Sequence, residues 1–288
     1  MSKWTDIIEE ALQLKKKRKF NEAFEKLQPL IMEADAILES GKYQDTDEIK
    51  YVDIDTQFEV ILYLKLNEEK HEKTGVESIS VKGTDDIPFA MLYATAGNIL
   101  FDLRRYEDAR FMLKKAIRWK PTDAGFWFEY AETYKAVGYM KGFLKATDEA
   151  YKCVYDKAGL ARCQRNLAFA LCEEEKWRKA FVILINSLNF DRHPMAIHEI
   201  NYIEQIAPTA VKRISPDEMR KIRQKYPMTA HASELVIGIL YSLGANAMEN
   251  KKYDFAEYYF RMTYELTDDK KTKALLDECI AKQMHNPT

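Results

Sequence analysis

Hydrophobic positions along the chain recur at the spacing of an α-helix, and they do so within a phrase that occurs four times. The phrase opens with a basic and an aromatic residue, places alanine three positions after the aromatic, and has an apolar residue four positions later. Its copies are KFNEAFEKL from Lys19, RYEDARFML from Arg105, KWRKAFVIL from Lys176 and KYDFAEYYF from Lys252. A repeated phrase implies a repeated structural unit, so we predict that each copy begins the second helix of a helix pair.

The best-preserved unit runs from Ala90 to Pro121. Its small residues Ala96, Gly97 and Ala109 would let two antiparallel helices approach closely, and Pro121 would end the second helix. This pattern resembles the tetratricopeptide repeat, and four looser units elsewhere in the chain share it. The resemblance implies an all-α fold, a right-handed superhelical solenoid of antiparallel helix pairs. An ordinary helical bundle is the alternative, but it would not explain the recurring phrase.

The spacing of the copies divides the chain into five segments. We predict an N-terminal degenerate tetratricopeptide-like hairpin over 1–40, an irregular helix plus polar loop insertion over 41–89, and three tetratricopeptide-like repeats over 90–193. A degenerate helical hairpin over 194–230 and a C-terminal repeat with a capping helix over 231–288 follow.

The two interruptions carry their own local signals. In the insertion we expect a helix roughly from Lys50 to Glu69 and a short extended stretch at Ser78 to Lys82, with strands otherwise exceptional. Either the loop crosses the stack of helices or the helix packs outside it. In the degenerate segment, Ser215, Pro216 and Glu218 predict a capping box at the start of a helix.

Composition limits the classes of partner. The chain has 44 Lys and Arg against 46 Asp and Glu, a formal net charge of −2, so no global field favours nucleic acid. Neither a signal-peptide pattern nor an apolar run of membrane-spanning length is present. The four cysteines lack a CxxC spacing, which is typical of reduced thiols. We therefore expect a cytoplasmic protein that binds neither nucleic acid nor membrane.

Motifs that carry chemistry are missing from the sequence. No histidine has a second ligand at metal spacing, no glycine-rich loop offers backbone amides to a phosphate, and no nucleophile turn occurs. We expect no enzymatic activity, no cofactor and no metal site. The histidines are His71, His193, His198, His231 and His285.

The resemblance implies where a partner would bind, because the first helix of each tetratricopeptide pair lines a concave groove. Carried onto this chain, it gives Asn98, Phe101, Phe128, Glu132, Arg162, Arg165, Asn166 and Phe169 as groove residues. Part of this set is similar to the carboxylate clamp of chaperone-binding relatives, but Ala94 stands where the clamp has lysine. Alternatively, Arg162 and Arg165 pair with Glu129 or Glu132 across adjacent repeats.

These observations predict a non-enzymatic adaptor or scaffold that binds a peptide or helix of a partner protein in the groove. The alternative is a regulatory sensor that recognises a small molecule or a signalling peptide. Its binding region would be the degenerate unit from Met195 to Tyr226 or the loop from His71 to Asp86. Self-association into a homo-oligomer is left open.

Overall fold

The computed structural model describes residues 2–68, 79–85 and 87–285, and helices dominate them. Fifteen α-helices are described: α1 (Lys3–Lys16), α2 (Phe20–Glu39), α3 (Gln57–Leu66), α4 (Phe89–Asp102), α5 (Tyr106–Trp119), α6 (Ala124–Lys135), α7 (Met140–Cys153), α8 (Lys157–Glu173), α9 (Trp177–Ser187), α10 (Pro194–Ile206), α11 (Pro208–Val211), α12 (Pro216–Arg223), α13 (Glu234–Glu249), α14 (Tyr253–Thr267) and α15 (Lys270–His285). The other elements are strands β1 (Ile49–Tyr51) and β2 (Ser80–Lys82) and a short 3-10 helix (Pro227–Thr229). The prediction of an all-α fold built from helix pairs is confirmed.

The chain divides into two compact units, Met1–Ala146 and Thr147–Thr288. In unit 1, α1 pairs with α2 and α4 with α5; both helices of the first pair contact α4, and α5 contacts α6. Its core includes the buried side chains of Ile8, Leu27, Leu30, Leu92 and Tyr93. In unit 2, α8 pairs with α9 and α13 with α14, while α15 packs on α14.

Glycine sets the distance between paired helices in both units, as the sequence pattern predicts. A Cβ atom added to Gly97 would stand 2.7 Å from Cγ of Leu113 and 3.2 Å from the backbone oxygen of Ala109. One added to Gly244 would stand 2.9 Å from the ring of Phe260. Real Cβ atoms do not approach this closely, so a larger residue would force the helices apart or shift a core side chain.

A left-handed residue stands at the turn before each copy of the phrase. Arg18, Arg104, Glu175 and Lys251 have φ of 58°, 62°, 56° and 57°, and each immediately precedes the basic residue that opens a copy. Non-glycine residues adopt this conformation at a cost of roughly 1–2 kcal/mol, so the packing of each pair must impose it. The repeated phrase therefore corresponds to one repeated turn geometry.

The described residues of the insertion form two paired strands and one helix, α3. Ile49–Tyr51 pair in parallel with Ser80–Lys82, which confirms the expected extended stretch. The helix expected from about Lys50 begins later, because residues 49–51 belong to the strand. The helix begins at Gln57 because Thr56 and Glu59 form a capping box. Since α2 contacts α4 directly, the first pair stacks on the second without α3 between them. The segment 69–78, with His71, lies outside the described residues.

The degenerate segment of unit 2 keeps its helices but packs in a different way. Helices α10, α11 and α12 all contact α9, and the 3-10 helix contacts both α8 and α9. Ser215 caps α12 by accepting a hydrogen bond from the backbone N–H of Glu218 at 3.2 Å, as predicted. The side chain of Glu218 pairs with Arg178, so the second half of the predicted capping box is not formed and this carboxylate serves a contact between helices.

Candidate functional site

Two of the predicted groove residues, Asn98 and Phe101, lie on α4 in line with Met91. Met91, Asn98 and Phe101 are spaced by seven and three residues, which places them on the same helical face. Met91 is 50% exposed, and the side chains of Asn98 and Phe101 are partly exposed. The ring of Phe101 lies 5.3 Å from that of Tyr106. This face therefore offers both an apolar and an amide contact to a partner.

The predicted groove residues on α6 differ from each other in exposure. Phe128 is only 3% exposed, so its ring offers little surface for binding. Glu132 is partly exposed, and its carboxylate lies 3.9 Å from the ammonium of Lys135 one turn later.

Two of the four predicted residues of unit 2 are held by neighbours that the sequence did not indicate. The guanidinium of Arg165 is 3.3 Å from Asp191, and its side chain is 15% exposed. Burial lowers the pKa of Arg165, and the nearby Asp191 carboxylate opposes that shift. Asn166 is 6% exposed and donates a hydrogen bond to Oγ1 of Thr147 at 3.1 Å.

Arg162 and Phe169 are partly exposed. Arg165 is also partly exposed, whereas Asn166 is buried. Arg165 and Asn166 already make internal contacts, which limits what they can offer to a partner.

A cleft of about 460 Å³ in unit 1 was not anticipated from the sequence. We call it the insertion cleft, because residues of the insertion form one wall and the first turns of α1, α4 and α6 form the other. Its lining comprises Thr5, Ile8, Val52, Asp53, Ile54, Asp55, Gly83, Thr84, Asp85, Ile87, Pro88, Ala90, Met91, Lys120, Asp123 and Phe126. Met91 lines this cleft and also lies in line with the predicted groove residues Asn98 and Phe101 of α4.

Asp53 joins the insertion to the start of α4. Its carboxylate accepts hydrogen bonds from the backbone N–H of Ala90 at 2.6 Å and from the hydroxyl of Thr84 at 2.5 Å. Pro88, at the N-cap position of α4, supplies no side-chain cap, so Asp53 satisfies one of the helix's free N–H groups from a distant part of the chain. Burial raises the pKa of Asp53, and the two hydrogen bonds only partly offset that effect.

Further polar contacts join the insertion to the end of α5. The backbone N–H of Asp53 donates to the carbonyl oxygen of Trp119 at 2.8 Å, and Arg118 donates to that of Tyr51 at 3.0 Å. Lys120 lies 3.0 Å from the carboxylate of Glu59. Burial by itself would lower the pKa of Lys120, but Glu59 and Asp55 outweigh it and the pKa is raised. These contacts hold one wall of the cleft in place.

The charge of the insertion cleft is predominantly negative. Its lining carries one cation, Lys120, and four carboxylates: Asp53, Asp55, Asp85 and Asp123. The apolar part of the lining includes Ile8, Met91 and Phe126. A concave surface of this kind suits a segment with an apolar side chain and a positively charged group. These aspartates were not identified from the sequence. Two of them stand close together, at 53 and 55, and a third at 85, and this clustering could have indicated an acidic site.

Residues 2–68, 79–85 and 87–285 contain no group of three or more His, Cys, Asp or Glu side chains placed to hold a metal ion. The cysteines are free thiols, with Cys153, Cys163 and Cys279 buried. Burial raises the pKa of Cys172 to about 11, which keeps that thiol protonated and poorly nucleophilic. No described helix combines the length and the apolar character needed to cross a bilayer.

No protein-family model matches this sequence, and no curated protein matches it. Solved structures do show similarity. A chain of the APC/C Cut9–Hcn1 hetero-tetramer is 14% identical, with 98% of this chain covered and a TM-score of 0.39; this chain spans 50% of its length. The C-terminal part of a TPR repeat-containing protein from Cytophaga hutchinsonii is 14% identical, with 93% of this chain and 99% of that one covered and a TM-score of 0.35.

A protein from Bacteroides ovatus is 9% identical, with 99% of both chains covered and a TM-score of 0.28. All three TM-scores are below 0.5. Similarity at this level carries no functional detail from those proteins to this one.

Proposed function

We propose that the protein is a non-enzymatic interaction module that binds a peptide or a helix of a partner protein. The binding surface would be the first-helix face, which is the concave groove that the tetratricopeptide resemblance implies. Six predicted groove residues have partly exposed side chains: Asn98, Phe101, Glu132, Arg162, Arg165 and Phe169. No catalytic role is proposed for these residues.

The observation that carries the proposal is the exposed line on α4 and its continuation into the insertion cleft. Met91 is half exposed although it stands on a helix that is otherwise largely buried. An apolar side chain at the edge of a cleft is typical of a contact that a partner covers. The asparagine two turns further along would orient the bound segment through its amide group.

The test makes the same substitution at two exposed methionines, and we expect it to weaken partner binding at only one of them. Met91→Asp would place a charge in the proposed surface, whereas Met32→Asp makes the same change on α2, where Met32 is 73% exposed and outside the cleft. Affinity purification with quantitative mass spectrometry should show a defined partner that Met91→Asp loses and Met32→Asp retains. The affinity of that partner, purified, should fall about tenfold or more with Met91→Asp.

Asn98→Ala provides a second, smaller change on the same face and should weaken the same interaction. Equal recovery of every partner by wild type and by both α4 variants, with melting temperatures unchanged, would rule out this face as the binding surface.

A further inference from the structure

A second cleft, of about 420 Å³, lies within unit 2. It is bordered by the C-terminal end of α9 and by the segment from Arg220 to Ala230, which includes the end of α12 and the 3-10 helix. We call it the arginine cleft, because Arg220 and Arg223 are its charged residues and no carboxylate is among its lining residues. Its volume falls within the range of small-molecule sites.

Arg223 is held in position by a buried network of amides. Its guanidinium donates to Oδ1 of Asn186 at 3.2 Å. The amide nitrogen of Asn186 in turn donates to Oε1 of Gln164 at 2.9 Å and to the carbonyl oxygen of Thr229 at 2.8 Å. Gln164 and Asn186 are both buried. The position of the guanidinium is therefore fixed before any ligand binds.

Unlike Arg165 and Arg178 in the same unit, Arg223 has no counter-ion among the described residues. Arg165 faces Asp191. Arg178 makes a bidentate contact with the carboxylate of Glu218, in which the hydrogen bond from Nη2 is 2.7 Å long. Within the described residues, the only hydrogen-bond partner of the partly buried Arg223 guanidinium is the neutral oxygen of Asn186. A guanidinium carries five N–H donors, so most of its donors are available, and a partly buried cation without an anion is unfavourable.

The second arginine reinforces the positive charge. Arg220 is bound to Asp217 at 2.5 Å on the exposed side of α12, and it is also one of the residues that line the cleft. Helix C-termini disfavour anions. Here two carbonyl groups at the end of α12 are already occupied, since the N–H of Gln224 and the hydroxyl of Thr229 donate to the oxygens of Arg220 and Arg223. Charge-assisted hydrogen bonds are stronger than the remaining dipole term.

We propose that the arginine cleft binds a small organic anion. Its carboxylate or phosphate group accepts hydrogen bonds from Arg223 and Arg220, and its apolar part lies against Phe190 and Pro227. Asn189 and Tyr226 line the same cleft, and their amide and hydroxyl groups provide neutral polar contacts. This site is independent of the interaction surface of unit 1, and either can exist without the other.

Calorimetric titration of the full chain tests the proposal with three probes at constant ionic strength: benzoate, phenyl phosphate and inorganic phosphate. Wild type should bind at least one of the two aromatic anions saturably, and more tightly than inorganic phosphate. Their relative affinity identifies the preferred acidic group. Arg223→Gln should weaken binding by about tenfold or more, because it removes a charge-assisted contact.

Lys225→Gln is the matched control, since it removes the same charge two residues away from a side chain that does not line the cleft. It should leave the affinity within about twofold, as expected for an exposed charge. The melting temperature without anion separates binding from folding. If Arg223→Gln does not fold, Arg220→Gln, on an exposed side chain, should fold and should still weaken binding.

Three results would overturn the proposal. The first is the absence of saturable binding of all three probes up to roughly 10 mM, a concentration well above a millimolar dissociation constant. The second is an equal loss of affinity in Lys225→Gln and Arg223→Gln, which would indicate general electrostatic attraction. The third is binding of inorganic phosphate as tightly as phenyl phosphate, which would remove the role of Phe190 and Pro227.

Discussion

The insertion of unit 1 and the degenerate segment of unit 2 both interrupt the repeat, but they are anchored by different chemistry. The insertion uses charged side chains whose partners are complete: Asp53 faces an N–H and a hydroxyl, and Lys120 faces Glu59. Besides the exposed Arg178–Glu218 pair, the degenerate segment, 194–230, is held by the buried amides of Gln164 and Asn186, which bond to the backbone of its 3-10 helix.

The difference indicates what each interruption can do. The polar groups that anchor the insertion are satisfied within unit 1, so they fix the wall of a cleft. The amide network of unit 2 ends on Arg223. Its guanidinium has more N–H donors than the single acceptor that Asn186 supplies. Polar groups whose hydrogen bonds are complete fix the shape of a cleft, whereas a polar group with unused donors can also bind a ligand.

The largest effect should come from breaking the amide network at its centre. Asn186→Leu would leave the carbonyl of Thr229, the amide of Gln164 and a donor of Arg223 without their partner. Each buried group left unsatisfied costs about 1–3 kcal/mol, so we expect the free energy of unfolding to fall by roughly 3 kcal/mol or more. Urea unfolding measures it. Asn189→Leu, at an exposed site, is the control; a similar loss in both variants would contradict the network.

An intermediate effect should come from the anchor of the insertion. Asp53→Asn keeps the size of the side chain but turns an N–H group toward one of its two donors, Ala90 N–H or Thr84 hydroxyl. We expect a loss of about 1–2 kcal/mol, in the range of a lost helix cap. Chemical unfolding measures this loss of stability, and Asp55→Asn, at an exposed side chain, is the control. If Asp53→Asn were as stable as wild type, Asp53 would not anchor α4.

The smallest effect concerns the exposed ion pair that joins α12 to α9, and it should depend on pH. Hydrogen bonding to Arg178 lowers the pKa of Glu218 below its usual value of 4.5. The stabilisation is therefore present above 4.5 and is lost as the pH falls through the lowered pKa.

Glu218→Gln should be less stable than wild type at pH 7, and this difference should vanish at the acidic end of the range. Unfolding of both proteins between pH 7 and pH 3 measures the difference. Glu204→Gln, at an exposed position of α10, should show no such trend. A Glu218→Gln difference that stays constant across the range would contradict the assignment.

The candidate site was only partly predictable. The resemblance located the line on α4, because a tetratricopeptide first helix presents one face at regular spacing. It did not indicate that Phe128 and Asn166 are buried or that Arg165 is held by Asp191. Those outcomes depend on which side chains from other helices reach the same point, and helical spacing within one helix contains no information about them.

The sequence by itself determined the helix pairs, since small and apolar residues at helical spacing decide which faces can meet and how closely. Gly97, Gly244 and the four copies of the phrase show this in the structure. Only the tertiary structure decided the parallel pairing of β1 with β2, the capping of α4 by Asp53 and the position of Arg223. Each joins residues far apart in the chain, and such contacts form only when the surrounding helices have brought their partners within hydrogen-bonding distance.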